Sequence, residues 1–222
     1  HEIAILDWWI RVGAPVGKPM SALEAPAKIL EAAAKLVPPA ELQARADAKA
    51  EAEAKAQAEA EAKKKKLEEA VAQVSGAFPN ALNFVSQESG DLTFTAVSMR
   101  KEFGDEDLAK LVPVAAGLAE LEIGATSVSD AGAEHLREML ALRRLKLNET
   151  GITDAALEVV VGLQKLEYLN LVGTAVTDEG IKKLESLPKL KKLYLWRSKV
   201  TKEGAAALNE SLPECEINLG WE

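Results

Sequence analysis

The sequence has few of the residues from which catalytic and metal sites are usually built. Among 222 residues there is one cysteine, Cys215, and there are two histidines. One cysteine excludes an intrachain disulfide and a thiolate metal cluster, and in an apolar strand region it is best interpreted as a buried structural thiol. The glycine-, serine- and histidine-based catalytic motifs are also absent. We therefore expect a chain that is not an enzyme and has no cofactor of its own.

Positive charge and long apolar runs are also scarce. The 27 lysines and arginines are outnumbered by 35 acidic residues, for a net charge of -8. A nucleic-acid surface needs clustered cations with little competing acid, so we expect no nucleic-acid partner. No apolar run approaches the ~20 residues of a membrane span, so we expect no membrane-spanning helix. Aromatic residues make up 5%, so the core must be built mainly from aliphatic side chains.

Residues 1–20 predict an amphipathic helix that ends near Gly13. Ile3, Leu6 and Ile10 fall at helical spacing together with a tryptophan pair. One helix cannot bury this face alone, so it needs a partner elsewhere in the chain or in residues that precede it. The chain opens without methionine, directly in this apolar pattern, and we interpret it as a fragment or a processed product.

Residues 21–39 predict a short helix that ends at a pair of prolines. The helix begins near Ser21, a favoured N-cap residue, or later at Pro26, because proline suits the first turn of a helix. Pro38 and Pro39 end it, because proline lacks the N–H that a continuing helix requires.

Residues 40–75 consist largely of alanine, glutamate and lysine, all strong helix formers. Pairs such as Glu51 and Lys55 add support at a spacing of four residues. Larger apolar side chains are almost absent between Leu42 and Leu67, so the segment has no heptad seam. It predicts a solvated single helix that acts as a spacer of roughly 50 Å. The alternative is pairing with a second helix in a coiled coil.

Residues 78–222 form the last segment, which opens with a predicted β-hairpin. Apolar and polar residues alternate over Ala81–Val85 and again over Leu92–Val97. The intervening Ser89–Asp91 contains a glycine and is typical of a turn.

A 24-residue repeat is the strongest pattern in the sequence. Its unit reads L-x-x-L-x-L-x-x-T-x-V-T-D-x-G and continues into a helix. The aligned columns include Leu121, Leu145, Leu169 and Leu193; Ile123, Leu147, Leu171 and Leu195; Thr126, Thr150 and Thr174; Asp130, Asp154 and Asp178; and the helix residues Leu136, Val160, Leu184 and Leu208.

Each column has an expected structural role. L-x-L predicts a short strand with both leucines facing the core and the middle residue facing out. The threonine hydroxyls are expected to satisfy backbone groups where the chain leaves the strand. The Ser/Thr-Asp pairs beginning at Ser129, Thr153 and Thr177 predict helix N-caps. A calcium site is a weaker interpretation of the aspartates, because one per repeat supplies too few oxygens.

The repeat therefore predicts an α/β fold, a solenoid of stacked strand–helix units. Stacking is required because no single unit can bury its own apolar side. A weaker copy precedes the repeats: Phe94 and Val97 lie 24 residues before Leu118 and Leu121. We expect this copy and the hairpin to form an N-terminal cap. The strand near Ile217 has no following helix and predicts a truncated last repeat.

The outward positions of the strands are the candidate partner-binding surface. Exposed aromatic and arginine side chains are typical of interface hot spots, and they concentrate toward the C-terminal repeats. The alternative is that they only cover the last repeats. The candidate residues are Arg144, Lys146, Tyr168, Asn170, Lys192, Tyr194, Trp196, Arg197 and Trp221.

Residues 118–219 resemble the ribonuclease-inhibitor-like leucine-rich repeats of bacterial envelope proteins. Leu171–Gly180 (LVGTAVTDEG) and Leu193–Trp196 (LYLW) carry this resemblance. It implies a right-handed βα horseshoe segment, a protein partner at the concave strand face, and an exported or periplasmic bacterial protein. On this basis the expected function is a noncatalytic interaction or docking module.

Residues Glu2–Pro15 (EIAILDWWIRVGAP) resemble the last helix of the planctomycete-type cytochrome c domain. None of that family's haem ligands has a counterpart here, since the chain has no C-x-x-C-H motif. The resemblance implies that residues 1–20 are the remnant of such a domain. The full-length parent would then hold haem c. The alternative function is the tail of an exported electron-transfer protein whose repeats only position the haem domain.

Overall fold

The computed structural model describes residues 2–11, 25–36, 39–85 and 90–220, which divide into two units, His1–Lys63 and Lys64–Glu222. The helices are α1 (Glu2–Arg11), α2 (Ala27–Leu36), α3 (Pro39–Ala77), α4 (Asp105–Ala109), α5 (Asp130–Ala133), α6 (Asp154–Val160), α7 (Asp178–Lys182) and α8 (Lys202–Ser211). The strands are β1 (Leu82–Phe84), β2 (Leu92–Thr95), β3 (Leu118–Glu122), β4 (Arg144–Lys146), β5 (Tyr168–Asn170), β6 (Lys192–Tyr194) and β7 (Glu216–Asn218). Short 3-10 helices cover Val97–Met99, Val112–Gly117, Glu134–Glu138 and Lys183–Ser186.

In the first unit, helices α1 and α2 pack against each other. Helix α2 begins at Ala27, and the carbonyl of Pro26 accepts hydrogen bonds from the backbone N–H groups of Ile29 and Leu30 at 2.8 and 3.1 Å. Of the two starts that the sequence left open, the structure therefore has the later one. Ser21 and Gly13, the other predicted boundaries, lie outside the described residues.

Helix α3 covers 39 residues. From Asp47 to Lys66 every side chain is exposed, as the absence of large apolar residues in this stretch dictates. The end of the helix differs, because Leu67, Val71 and Val74 pack against the core of the second unit. Their spacing of four and three residues places them on one side of the helix. The core thus begins before residue 78, where the sequence placed the start of the repeat domain.

The second unit is built on one seven-stranded sheet in the order β1 to β7. Strands β1 and β2 pair antiparallel, and every later neighbour pairs parallel. Leu121, Leu145, Leu169, Leu193 and Ile217 lie directly opposite one another across five strands. The 24-residue period is therefore the exact register of the parallel sheet, which confirms the predicted strand–helix solenoid.

The predicted alignment of the weaker copy is wrong by three residues. Phe94 lies opposite Leu121, whereas Leu92 lies opposite Leu118. Val97, which was expected to face the core, is 48% exposed and belongs to a 3-10 helix. The alternation over β2 favours the observed register, because it buries Leu92 and Phe94, and an irregularity after Leu92 absorbs the difference in spacing.

Three phenylalanines fill the first part of this core. Phe78 follows helix α3, Phe94 lies on β2, and Phe103 follows the 3-10 helix after β2. Their ring centroids are 5.4–5.7 Å apart, and Phe78 meets Phe94 edge to face. Such ring pairs contribute about 0.5–1.5 kcal/mol beyond the area they bury. The contacts among the three rings pack α3, β2 and the loop after β2 against one another.

The threonine column performs the predicted role. Thr126, Thr150 and Thr174 are buried, and each donates its hydroxyl to the backbone carbonyl three residues earlier at 2.5–2.7 Å. Each hydroxyl thereby satisfies a carbonyl where the chain leaves the strand, and is itself satisfied in the buried interior.

The aspartate column does more than the predicted capping. Asp105, Asp130, Asp154 and Asp178 each bind the Ser or Thr that precedes the helix of the next repeat. Each carboxylate accepts a backbone N–H at 2.7–2.8 Å and a hydroxyl at 2.6–2.7 Å. We call these contacts the aspartate clamps. They join neighbouring repeats on the helix side of the sheet, and the sequence analysis had not assigned Asp105 to this column.

The predicted helix caps are confirmed in two of three cases. The hydroxyls of Ser129 and Thr153 each accept a hydrogen bond from the backbone N–H two residues later at 3.3 Å. Thr177 occupies the N-cap position without such a bond, and its hydroxyl donates to Asp154 instead. Thr201 makes a cap bond to Gly204 at 3.0 Å.

Candidate functional site

The strand face comprises the side chains of β3–β7 that point away from the buried leucine columns. In the register, Arg144 lies opposite Tyr168 and Tyr168 opposite Lys192, and Lys146, Asn170 and Tyr194 form the next row. The structure therefore brings together the predicted residues of β4–β6. Trp196 and Arg197 follow directly on β6. Trp221, the ninth predicted residue, lies outside the described part of the chain.

Three of these side chains form a diagonal row that we call the aromatic track: Tyr168, Tyr194 and Trp196. The rings of Tyr168 and Tyr194 are 5.3 Å apart and tilted by 37°. Trp196 lies two residues beyond Tyr194 and remains 46% exposed. Its indole covers the backbone of Gly220, where an added Cβ would overlap the ring. A row of aromatic side chains thus runs from β5 to just beyond β6, half-buried at the two tyrosines and exposed at Trp196.

An arginine stacks on each end of the aromatic track. The guanidinium of Arg144 lies 4.3 Å from the ring centroid of Tyr168, and that of Arg197 lies 5.7 Å from the ring of Trp196. Cation–π contacts of this kind contribute about 0.5–1 kcal/mol at exposed sites. They also restrict the orientation of two long and otherwise flexible side chains.

Charge is unevenly distributed over the strand face. The outward residues of β4, β5 and β6 include the cations Arg144, Lys146 and Lys192 and no acid. The acids lie on the flanking strands, where Glu122 binds Lys146 at 3.0 Å and Glu216 approaches Lys192 to 3.5 Å. The face therefore has a positive centre with acidic borders.

A column of left-handed residues positions Arg197. Ala125, Glu149, Gly173 and Arg197 occupy equivalent positions and have φ between 55° and 68°. Only one is glycine, although glycine adopts this conformation at the lowest cost. Arg197 lies 3.9 Å from Glu149, two repeats away, and the Glu149 side chain passes Gly173, where an added Cβ would lie 3.1 Å from its Cγ. The sequence pattern does not reveal this column, since its residue types share no chemical property.

The described residues include no group of three or more histidine, cysteine, aspartate or glutamate side chains placed to hold a metal ion. The aspartate column, the one candidate that the sequence raised for calcium, has its carboxylates engaged by the clamp donors. Over the same residues, no helix is both long and apolar enough to cross a membrane.

Cys215 is buried just before β7, in agreement with the predicted structural thiol. Burial, with a smaller contribution from the Glu216 carboxylate, raises the pKa of the Cys215 thiol from 9.0 to about 11. No low-pKa nucleophile is therefore formed at this position.

We expect iodoacetamide at pH 8 to label Cys215 at least about 100-fold more slowly in the folded protein than in guanidinium, because the thiolate fraction falls about tenfold per pKa unit. The raised pKa of Cys215 also links folding to pH. The contribution of this thiol to the free energy of unfolding is fully present below pH 9 and is lost as the pH rises through about 11. Mass spectrometry of timed aliquots measures the labelling, with Cys215→Ala as the blank. Equal rates in the folded and unfolded chain would contradict the assigned burial.

Residues 162–184 match the family model described as Leucine Rich repeat. The matched stretch contains β5 and α7 and is one strand–helix unit of the solenoid. The chain therefore contains a leucine-rich repeat, and the sheet register shows equivalent units stacked beside it. No curated protein matches the chain.

Two solved structures of leucine-rich-repeat type are similar to part of the chain. A Leptospira interrogans LRR protein is 19% identical, with a TM-score of 0.40 over 50% of this chain and 27% of its own. An internalin from Listeria monocytogenes is 19% identical, with a TM-score of 0.37 over 51% of this chain and 44% of its own. The chain thus spans less than half the length of either protein.

Proposed function

We propose that this chain is a noncatalytic protein-interaction or docking module whose partner binds the strand face at the aromatic track. The observation that carries the proposal is the Tyr168–Tyr194–Trp196 row, in which the tyrosines are half-buried and Trp196 is exposed, with an arginine stacked on each end. Large aromatic rings and arginines contribute most of the binding free energy in protein interfaces. The leucine, threonine and aspartate columns are already occupied by packing and by internal hydrogen bonds.

We propose further structural and cellular assignments for the chain. The repeats are of the ribonuclease-inhibitor-like type, and the strand face is the concave side of a short horseshoe. The β1–β2 hairpin and the end of α3 act as the N-terminal cap, since Phe78 and Phe94 cover the first leucine-rich unit. The exposed part of α3 is the spacer. The protein is bacterial and works in the periplasm or another exported location.

Site-specific photo-crosslinking tests the binding face. A benzophenone amino acid at Asn170, which lies opposite Tyr194 and two residues after Tyr168, is expected to yield a partner adduct in extract of the source cells. The same group at Ala206, exposed on helix α8, is the matched control and is expected to yield none. Adding Tyr194→Ala is expected to remove most of the Asn170 adduct. Equal adducts from both positions, or an adduct indifferent to Tyr194, would exclude the strand face as the binding site.

A second candidate function comes from the first unit. Leu6 and Ile10 on helix α1 are each 60% exposed, and Leu30 on α2 is 42% exposed. Such an apolar surface on two short helices suits packing against a further domain. We propose as the alternative that this domain is a haem c electron-transfer domain positioned by the repeats. A gene whose coding sequence upstream of His1 lacks C-x-x-C-H would exclude it.

A further inference from the structure

We propose that the strand face recognises an extended peptide with two acidic residues about five positions apart and apolar residues between them. The inference deepens the proposed function and rests on it, because it names the chemistry of the partner at the same face. It is carried by the juxtaposition of two stacked arginines, the aromatic track between them, and the positive centre of the sheet.

The two arginines have unused hydrogen-bonding capacity. Within the described residues, the carboxylate oxygens nearest to Arg144 and Arg197 lie at 3.7 Å and 3.9 Å, beyond hydrogen-bond distance. Arg137, on the helix side, provides the contrast, because its donors bind Glu134 at 2.7 and 3.3 Å. Each guanidinium is thus held by a ring and ion-paired with one carboxylate, Glu120 or Glu149, without a hydrogen bond to it. Such a planar group is suited to a bidentate bond with a carboxylate that approaches more closely.

The sheet sets the distance between the two acidic contacts. Arg144 and Arg197 are two strands apart, and Arg197 lies five residues beyond Lys192, the residue in the Arg144 row. Strand spacing and rise place the Cα atoms of the two arginines roughly 15–20 Å apart, a span of about five residues in an extended peptide. The aromatic track lies along this diagonal, where it would contact the apolar side chains of the peptide.

The acidic borders favour a short peptide over a nucleic acid. The positive centre covers three strands and is about 10 Å wide. Glu120 and Glu122 lie on one side of it and Glu216 on the other. A continuous phosphate backbone would meet all of these acids on leaving the centre, whereas the two carboxylates of a peptide need to displace only Glu120 and Glu149, the ion-pair partners of the two arginines.

Selection from phage-displayed random dodecapeptides on the full chain tests the proposal. We expect enrichment of peptides with two acidic residues three to six positions apart around apolar residues. For the most enriched peptide, made synthetically with a dye, Arg144→Gln and Arg197→Gln should each weaken binding about tenfold in fluorescence anisotropy, the loss of one charge-assisted contact. Arg137→Gln, the matched control, should leave binding unchanged. Arg144→Lys should weaken binding as well, since lysine keeps the charge but loses the planar fork.

The possible outcomes separate this inference from the function on which it rests. Enriched peptides without acids whose binding is lost in Tyr194→Ala would overturn the acidic motif and leave the strand face as the binding site. Peptides indifferent to both Tyr194→Ala and the arginine variants would overturn both, as would a selection that enriches nothing. Binding of a dye-labelled oligothymidylate that depends on Arg144 and Arg197 would also overturn the peptide proposal.

Discussion

Replacing Phe94 with alanine is expected to lower the free energy of unfolding of the second unit by about 4 kcal/mol, within the range for deleting a buried aromatic ring. Phe94 is fully buried and packs against both Phe78 and Phe103. Its strand is also the one through which the antiparallel β1 joins the parallel sheet. Urea denaturation followed by circular dichroism measures the loss.

Phe84→Ala is the matched control, because Phe84 lies on the neighbouring strand β1 and is 53% exposed. We expect a change within about 0.5 kcal/mol, as for most surface substitutions. Hydrogen exchange adds a spatial readout. In Phe94→Ala, amide protection is expected to fall first over β1–β3, since each repeat contacts mainly its neighbours. Loss of protection that is uniform up to β7 would contradict the assignment of these strands as a cap.

The repeated part of the fold was predictable because every unit solves the same packing problem. A leucine at the Leu145 position must face the core in each repeat, so a 24-residue spacing in sequence becomes the register of the sheet. Strand β2 does not obey this rule. It pairs antiparallel with β1 on one side and parallel with β3 on the other, with an irregularity after Leu92. Matching by a fixed shift of 24 residues therefore misplaced Phe94.

The candidate site was predictable only as a set of outward positions. Alternation along the strands showed that Tyr168 and Tyr194 face solvent, and the structure places their rings in contact. Arg197 has a left-handed backbone and forms an ion pair with Glu149, whose side chain passes Gly173. This contact joins residues that are two repeats apart, and an alignment of the repeats shows no conserved residue type that would predict it. The aspartate column was visible in the sequence, but the hydrogen bonds of the clamps join residues of neighbouring repeats, and an alignment of columns does not show such pairs.

Asp154→Ala is expected to lower the free energy of unfolding by about 2–3 kcal/mol, because it removes two hydrogen bonds to a charged acceptor. The carboxylate accepts the backbone N–H of Thr177 at 2.8 Å and its hydroxyl at 2.6 Å, and so joins helices α6 and α7. Asp154→Asn keeps one acceptor oxygen, so we expect it to lower the free energy of unfolding by about half as much. Glu179→Ala, at an exposed neighbouring residue, is the control and should stay within about 0.5 kcal/mol.

A double-mutant cycle with Gly180 separates the clamp from general helix effects. A Cβ at Gly180 would overlap the Asp154 carboxylate, so Gly180→Ala should destabilise the wild-type protein by about 1–2 kcal/mol, the usual cost of overpacking. When Asp154 is already alanine the obstruction is gone. The same change should then stabilise by up to about 1 kcal/mol, the helix preference of alanine over glycine.

The repeat that contains Ala156 provides a comparison for the effect of Gly180→Ala on stability. Ala156 occupies the position equivalent to Gly180, yet Thr153 still donates both of its bonds to Asp130. A methyl group at this position is thus compatible with a clamp in that repeat, whereas at Gly180 an added Cβ would overlap the Asp154 carboxylate. Urea denaturation of the four variants gives the coupling free energy. Additive effects, with Gly180→Ala destabilising equally in both backgrounds, would show that the clamp does not set the spacing between α6 and α7.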